Sequence, residues 1–537
     1  MPERRRAKPA CASRPRPTDR AQSALAWSSP VGDIAQRVIA HYHLERTGHG
    51  LAGRVVGAAV SEMAEFPENR LPGFERARDT FRRAALEVPA YADFLRRHNV
   101  AAEGIRTPQD FAGVPPVTKA NYLHHYPLNM LAKGGDIAEA GIWSTSSGSS
   151  GKPTYWPRAS LSLEQSIDLY DKIFRQSFRS HERSTLAVIG FAMGNWIGGT
   201  YTYTGIQRLR ALGHRLSVIA PGIDVATILT NIADLGPYYE QVVLVGYPPF
   251  VKDVLDQAPA AVTDMDLKIL MAGENISEGW RDYILKRIGK EGRAEHTCLI
   301  YGTADAGIMG HETPTTIAAR RLARGDHQLD AAFFGDDGIQ PTFVEYQPDF
   351  RFTETDQDGY LLFTIDNAFP LIRYRINDRG RVVTASELAR LIGRCGHEFT
   401  VRTSTENAGF IALGRRTDIA ETFYSLKIFP ESIRAALEDA AVSGTVSGKF
   451  SLVTHDDEAY GQTLSLHVEL RADAAADEGL APRLKELVVA SLLRTNGEYR
   501  QLRQALGGRA EPMISLHDFG TGGFAHGIKH RWTGEPS

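Results

Sequence analysis

Cysteine is nearly missing: Cys11, Cys298 and Cys395 are the three in a chain of 537 residues. They stand far apart, with no CxxC pair, which excludes a disulfide framework and a thiolate zinc cluster as organising devices. A reducing, cytoplasmic setting is expected. An excess of charge of one sign is missing as well. The net charge of −3 gives no general attraction to nucleic acid or to an anionic membrane. Nowhere does an apolar run approach the roughly 20 residues that span a bilayer. No internal repeat is visible. Cys395 and His397 make a C-x-H pair without a second ligand pair, too little for a metal site.

What is present is ordinary for a soluble globular protein: 42% apolar and 23% charged residues. The length calls for at least two domains. Residues 1–30 are rich in Arg and Pro, lack the apolar core of a secretory signal, and read as a disordered basic tail. An organelle transit peptide is the alternative. Residues 32–98 read mainly as helix, broken near Pro89. From about 184 to 305, short apolar runs at 186–191, 216–220, 242–245, 267–272 and 298–301 alternate with helical stretches such as VATILTNIA and GWRDYILKRI. That alternation predicts parallel strands covered by helices on both faces, with ligands bound at the carboxyl ends of the strands. Residues 340–415 are richer in strand signals. After Gly414 a helix at 432–439, the strands KFSLVTH and TLSLHVEL, and a helix at 483–493 suggest a small α+β unit.

The fold class expected is therefore α/β. A large domain over 31–414 has doubly wound mixed sheets and a β-rich subdomain. A small mobile α+β lid domain covers 415–537.

Residues 144–154 read S-T-S-S-G-S-S-G-K-P-T. Glycines and hydroxyl residues make a loop whose amides and hydroxyls can wrap an anion. It is not a Walker A loop, because Ser146 stands where the first Gly belongs and Pro153 follows the Lys. Nor does it contain a G-x-S-x-G elbow. The loop resembles the signature of the adenylate-forming enzymes, Ser/Thr-Ser/Thr-Gly-Ser/Thr-Ser/Thr-Gly-x-Pro, at every position from Ser146 to Pro153. Thr154 then matches the phenylacetate–CoA ligase branch, where many other relatives carry Lys.

Further segments resemble that branch in the same order. They are GVPPVTKANYLHHYP at 113–127, MAGENIS at 271–277, YGTADAG at 301–307 and FPLIRYRINDRG at 369–380, then GRRTDI at 414–419 with FPESIRAALED at 429–439. The resemblance covers about 75–531, nearly the whole chain.

It implies ATP, Mg²⁺ and CoA as reactants or cofactors, and a small-molecule carboxylic acid as substrate. Adenylation brings a carboxylate to the α-phosphate of ATP, so two anions must meet and catalysis is charge neutralisation and positioning. By the resemblance, Ser146, Ser147, Gly148, Ser149, Ser150 and Gly151, with Lys152, hold the β- and γ-phosphates. Tyr301, with Gly302 and Thr303, packs on adenine, and Gly273 and Glu274 line the adenine pocket. Asp305, where the family usually has Glu, is the expected metal ligand. Asp378 accepts from both ribose hydroxyls, although Asn377 replaces the usual Gly before it. Arg415 reaches ribose or phosphate, and Lys529 bridges carboxylate and phosphate. Thr417 stands at the hinge position where Asp or Lys is usual, and Ser425 replaces a glycine common in the following loop. An acyl pocket is expected from Trp196, Ile197, Gly198, Tyr247, Pro248 and Ala304, whose apolar character suits an aryl or other hydrophobic acid.

The expected activity is an AMP-forming acid–CoA ligase. One alternative passes the acyl group to an amine or a carrier-protein thiol, although no D-S-L type attachment motif stands near the C-terminus. A second alternative is a nucleotide-binding regulatory protein. No nucleic acid or membrane partner is expected, and a homodimer is compatible with the sequence without being required by it.

Overall fold

The computed structural model describes residues 72–146, 154–194, 197–334, 342–414, 421–423, 426–456, 462–524 and 532–533. Two helices, Phe74–Glu87 and Pro89–Arg97, open the described chain, and the break at Val88–Pro89 falls where the sequence places it. Their apolar stripes bury Phe74, Phe81, Tyr91 and Phe94 against Phe369, Leu371 and Tyr374 from much later in the chain.

An antiparallel ribbon follows, β1 (Ile142–Ser146) with β2 (Thr154–Arg158). The expected parallel array is next: β3 (Thr185–Gly190), β4 (Leu216–Ile219), β5 (Gln241–Gly246), β6 (Leu267–Ala272) and β7 (Thr297–Thr303). Side chains alternate between the faces of these strands. Val242, Leu244, Ile269 and Met271 pack under the helices Val225–Leu235, Pro248–Asp256 and Glu278–Arg287. Val243, Val245, Leu270 and Cys298 pack under Ser160–Gln176 and Ile197–Arg208. Both faces are covered, so the strands read as continuous apolar runs.

The β-rich region continues the same sheet. It comprises β8 (Gly307–His311), β9 (Thr342–Tyr346), β10 (Phe352–Thr355), β11 (Tyr360–Ile365), β12 (Leu371–Thr384) and β13 (Gly409–Leu413). The eleven strands run in the order β10-β11-β12-β13-β9-β8-β7-β6-β5-β3-β4. Parallel pairing ends at β7, where the hairpin to β8 begins an antiparallel half. The mixed α/β architecture is as expected, with the β-rich region continuous with the parallel half, because β7 pairs with β6 on one side and β8 on the other. The antiparallel half curls round its own core of Tyr301, Met309, Val344, Tyr346, Phe363 and Ile411, contributed by four of its strands and by β7.

The C-terminal part has β14 (Glu421–Phe423), β15 (Leu426–Ile428), the helix Pro430–Leu437, β16 (Val446–Asp456), β17 (Gln462–Leu470) and the helix Leu480–Thr495. The sequence reading missed a further helix, Gly497–Leu506, and β18 (Met513–His517), which pairs parallel to β17. β18 begins with an exposed Met513 and is half-buried after it, so it lacks the buried apolar run that marked the other strands. Among the described residues, no helix is long and apolar enough to cross a membrane.

Candidate active site

The parallel strands deliver the candidate residues to one edge. β3, β5, β6 and β7 are neighbours in register, with Gly190 opposite Gly246 and Gly246 opposite Met271. Their carboxyl ends release Tyr247, Gly273–Glu274 and the turn after Thr303 side by side. Open α/β sheets bind ligands outside the carboxyl ends of their parallel strands, which is this edge.

Tyr301, on β7, is 9% exposed and donates its hydroxyl to Asp378 Oδ2 on β12 at 2.6 Å. The resemblance gave these two residues adjacent roles, and they touch. Asn377 has φ +67°, the left-handed conformation that Gly adopts freely and Asn tolerates. The residue that replaces the family glycine therefore retains the backbone turn that aims Asp378.

Asp305 lies in the β7–β8 turn, 6% exposed. Thr303 Oγ1 accepts the Ala306 amide at 2.9 Å and Gly307 has φ +79°, which together close this turn. Asp305 Oδ2 accepts from the Tyr374 hydroxyl at 2.5 Å and lies 3.4 Å from the Lys119 ammonium. Burial beside Asp305 pushes the Tyr374 hydroxyl well above its usual range, so it stays a donor. Lys119 gets there because the Arg375 amide on β12 donates to Val117 at 3.0 Å, and because Thr118 caps the turn that follows, bonding with Asn121 in both directions. Sequence reasoning gave Lys119 no role beyond its T-K motif.

The ribbon fixes the flanks of the Ser/Gly loop. Ser146 pairs with Thr154, so the loop is the connection of β1 to β2. Fully buried Arg158, at the far end of β2, donates to the carbonyls of Ala304 and Asp305. Trp156 stands with its ring 6.4 Å from Tyr374 and has the Lys119 ammonium 5.4 Å from it. The loop's base is thereby tied to the turn that carries Asp305. Arg351, also buried, binds the Ala306 carbonyl at 3.1 Å from the other side. Burial lowers its guanidinium to about 10. Neither arginine was picked out from the sequence, since nothing local distinguishes a buried arginine from a surface one.

Gly273 has φ +98° and turns the chain at the end of β6. Glu274 Oε1 accepts from the Tyr247 hydroxyl at 3.0 Å and from Trp532 Nε1 at 3.1 Å, and Oε2 lies 3.4 Å from Arg434. Ile197 and Gly198, expected in a loop, instead open the helix Ile197–Arg208. The adjoining Gly199 explains the tight entry: a Cβ there would meet the Ala192 carbonyl oxygen at 2.3 Å. Pro248 opens the helix after β5, with Tyr247 before it. Ser147, Gly148, Ser149, Ser150, Gly151, Lys152, Trp196, Arg415, Thr417, Ser425 and Lys529 lie outside the described residues.

Among the described residues no cluster of three metal-ligating side chains occurs. A single carboxylate suits Mg²⁺, which takes one or two carboxylates and completes its shell with water and substrate phosphates. Asp305 fits that donor set, and the ammonium 3.4 Å from it marks a place that already holds positive charge.

No protein-family model matches the chain, and no curated protein matches it by sequence. Solved structures do match in fold. A 2-hydroxyisobutyryl-CoA ligase in the postadenylation state, in complex with R3-HIB-AMP, covers 90% of this chain and 95% of its own, at TM-score 0.60 and 17% identity. The same ligase with 2-HIB-AMP covers 87% and 91%, at TM-score 0.59 and 16% identity. An acyl acid amido synthetase in complex with 2,4-DB covers 84% and 87%, at TM-score 0.52 and 14% identity. The chain has the fold of these adenylate-forming enzymes.

Proposed function

We infer that this chain, with its adenylate-forming fold, is an ATP-dependent ligase that activates a carboxylic acid and transfers the acyl group to CoA. The observation that carries the reading is the meeting of Tyr301, Asp378 and the Asp305 turn at the ligand edge of the sheet, beside the base of the Ser/Gly loop.

In this reading Ser146, Ser147, Gly148, Ser149, Ser150, Gly151 and Lys152 hold the β- and γ-phosphates of ATP. Adenine lies on Tyr301 beside Gly273 and Glu274, and Asp378 takes the ribose hydroxyls. Two lone-pair-bearing oxygens match two vicinal donors. Asp305 holds Mg²⁺, which when bound neutralises phosphate charge. A carboxylate oxygen of the acid then attacks the α-phosphorus, the bond to the bridging oxygen breaks, and pyrophosphate leaves with that electron pair. Lys529 stabilises the charge that develops between carboxylate and phosphate, assisted by Arg415. The thiolate of CoA next attacks the acyl carbon, and AMP leaves with the oxygen it shared. The acid sits among Trp196, Ile197, Gly198, Tyr247, Pro248 and Ala304. Their apolar surface favours an aryl or other hydrophobic acid.

A second reading differs only in the acceptor, an amine or a carrier-protein thiol. The likeness to an acyl acid amido synthetase keeps it in view. Pyrophosphate release from a panel of aryl and alkyl acids, with and without CoA, separates the readings. Release with acyl-CoA formed supports the first. Release without any CoA adduct points to the second, and no release with any acid leaves a nucleotide-binding regulator.

A further inference from the structure

The segment GVPPVTKANYLHHYP at 113–127 has no task in the reaction as read above. Its backbone is pinned to β12, the strand of Asp378. Arg373 donates to the carbonyls of Ala112 and Val114, and the Arg375 amide donates to that of Val117 at 3.0 Å. Further on, a His124 ring nitrogen lies 3.1 Å from the hydroxyl of Thr154, at the base of the Ser/Gly loop. Between these anchors Lys119 opens a single π-helical turn, Lys119–Leu123, capped by Thr118. Such turns are rare and cluster at functional sites.

The fixed backbone carries the Lys119 ammonium to Asp305. It lies 3.4 Å from Oδ2, which the Tyr374 hydroxyl also reaches at 2.5 Å, and 5.4 Å from the Trp156 ring. Both groups act on the same oxygen, and among the described residues Oδ1 has no hydrogen-bond partner. The lysine side chain is 44% exposed and that of the aspartate 7%. An ion pair so open to water adds little stability, so holding the fold together does not account for the placement. What it does is set a positive charge beside the carboxylate expected to hold a divalent cation. Like charges at one carboxylate repel, so a bare metal ion is opposed there. A triphosphate offers the ammonium other oxygens, and lysine can turn to them because its charge sits on a flexible stem.

Resting on the function read above, we propose that Lys119 is an internal stand-in for the metal ion. Its ammonium neutralises Asp305 until a triphosphate draws it away, so the divalent cation binds together with the nucleotide and not before it. Coupling of this kind is reciprocal: metal and nucleotide each raise the affinity for the other by the same factor.

The test is Lys119→Met in the full chain, which keeps most of the side chain and removes the charge, with Lys119→Arg as the conservative control. Binding of Mn²⁺ is read by electron paramagnetic resonance, for Mn²⁺ alone and with saturating α,β-methylene-ATP. Lys119→Met binds Mn²⁺ alone about tenfold more tightly than wild type, the scale of removing one like charge nearby in a solvated cleft. The factor by which the nucleotide improves Mn²⁺ binding falls to a similar extent. Lys119→Arg keeps the wild-type behaviour, and the melting temperatures are unchanged. Adding Asp305→Asn to Lys119→Met abolishes the gain. Mn²⁺ binding by Lys119→Met that is no tighter than wild type, an unchanged nucleotide effect, or a gain that survives Asp305→Asn overturns the proposal. If wild-type protein binds no nucleotide, the functional reading falls and this inference with it. Nucleotide binding and acid-dependent pyrophosphate release by wild type, with Lys119→Met indistinguishable from it in Mn²⁺ binding, remove this inference alone.

Discussion

Tyr301 Oη and Asp378 Oδ2 are 2.6 Å apart, although three strands separate β7 from β12 in the order of the sheet. In a flat sheet, four strand spacings would hold them about 19 Å apart. They meet because the antiparallel half curls back, and close backbone approaches permit the curl. A Cβ on Gly310 would lie 2.6 Å from the Glu345 carbonyl oxygen, and one on Gly380 2.7 Å from that of Ala412. The site is therefore a product of sheet curvature.

Asp378→Ala removes the proposed acceptor for the ribose and raises the KM for ATP by about 10- to 100-fold, the scale of losing charge-assisted hydrogen bonds. Tyr301→Phe keeps the ring and loses only the tether, so the KM rises a few-fold. Pyrophosphate release against ATP concentration measures both. An unchanged KM for Asp378→Ala removes this residue from the nucleotide site.

Asn377→Gly leaves stability within a few tenths of a kcal/mol, because the backbone there is already left-handed at φ +67°. Asn377→Ala costs about 1 kcal/mol, since an ordinary Cβ is strained in that region. Denaturant unfolding distinguishes them. Equal stability of Ala and Gly variants contradicts the turn geometry.

Much of this was legible in the sequence, for identifiable reasons. The five parallel strands announce themselves because both faces are buried, which makes each an apolar run. Of the motif residues, Tyr301 and Asp378 share a hydrogen bond and Asp305 binds Tyr374 in the β7–β8 turn. Lys119, Arg158, Arg351 and Trp532 escaped notice because their roles depend on contacts distant in sequence. Arg158, for one, reaches carbonyls 146 and 147 residues away. The curl of the sheet was equally invisible, since no local pattern encodes which strands meet across it. The start of the helix at Ile197 was missed because its first turn carries two glycines, poor helix formers, of which Gly199 is needed for the close approach to Ala192.

Four buried charged side chains, with Thr297, brace the start of β7 and the surrounding helices. Arg281 binds Glu278, Glu312 and Thr297, Arg320 also pairs with Glu312, and Glu312 accepts the Leu299 amide at 2.9 Å. Arg281→Ala leaves Glu312 to Arg320 and Glu278 to Arg320 and Arg321, so the fold loses about 3 kcal/mol, the low end for removing one partner of a buried ion pair. The midpoint of urea unfolding reports it. A shift equivalent to under 1 kcal/mol contradicts the network's importance.

His311 gives the fold an acid limit. It is buried on β8 opposite Glu345. Its Nδ1–H donates to the Glu312 carbonyl at 3.0 Å, and its Nε2 has no hydrogen-bond partner among the described residues. Burial lowers the imidazole to about 4, with Lys172 adding to the effect and Asp168 opposing it. The unfolded chain, with histidine near its usual 6.5, binds the proton more readily between those values. Stability from this group is therefore lost as pH falls from about 6.5 towards 4 and is flat above. His311→Phe makes unfolding less steeply dependent on pH in that window. An unaltered slope contradicts a neutral buried imidazole.

The most direct test of carboxylate activation is isotope exchange between pyrophosphate and ATP, run with and without acid. The account predicts exchange that depends on a carboxylic acid, needs no CoA, and falls at least 100-fold in Lys152→Ala. Nucleotide binding with no acid-dependent exchange, across aryl and alkyl acids alike, would contradict it.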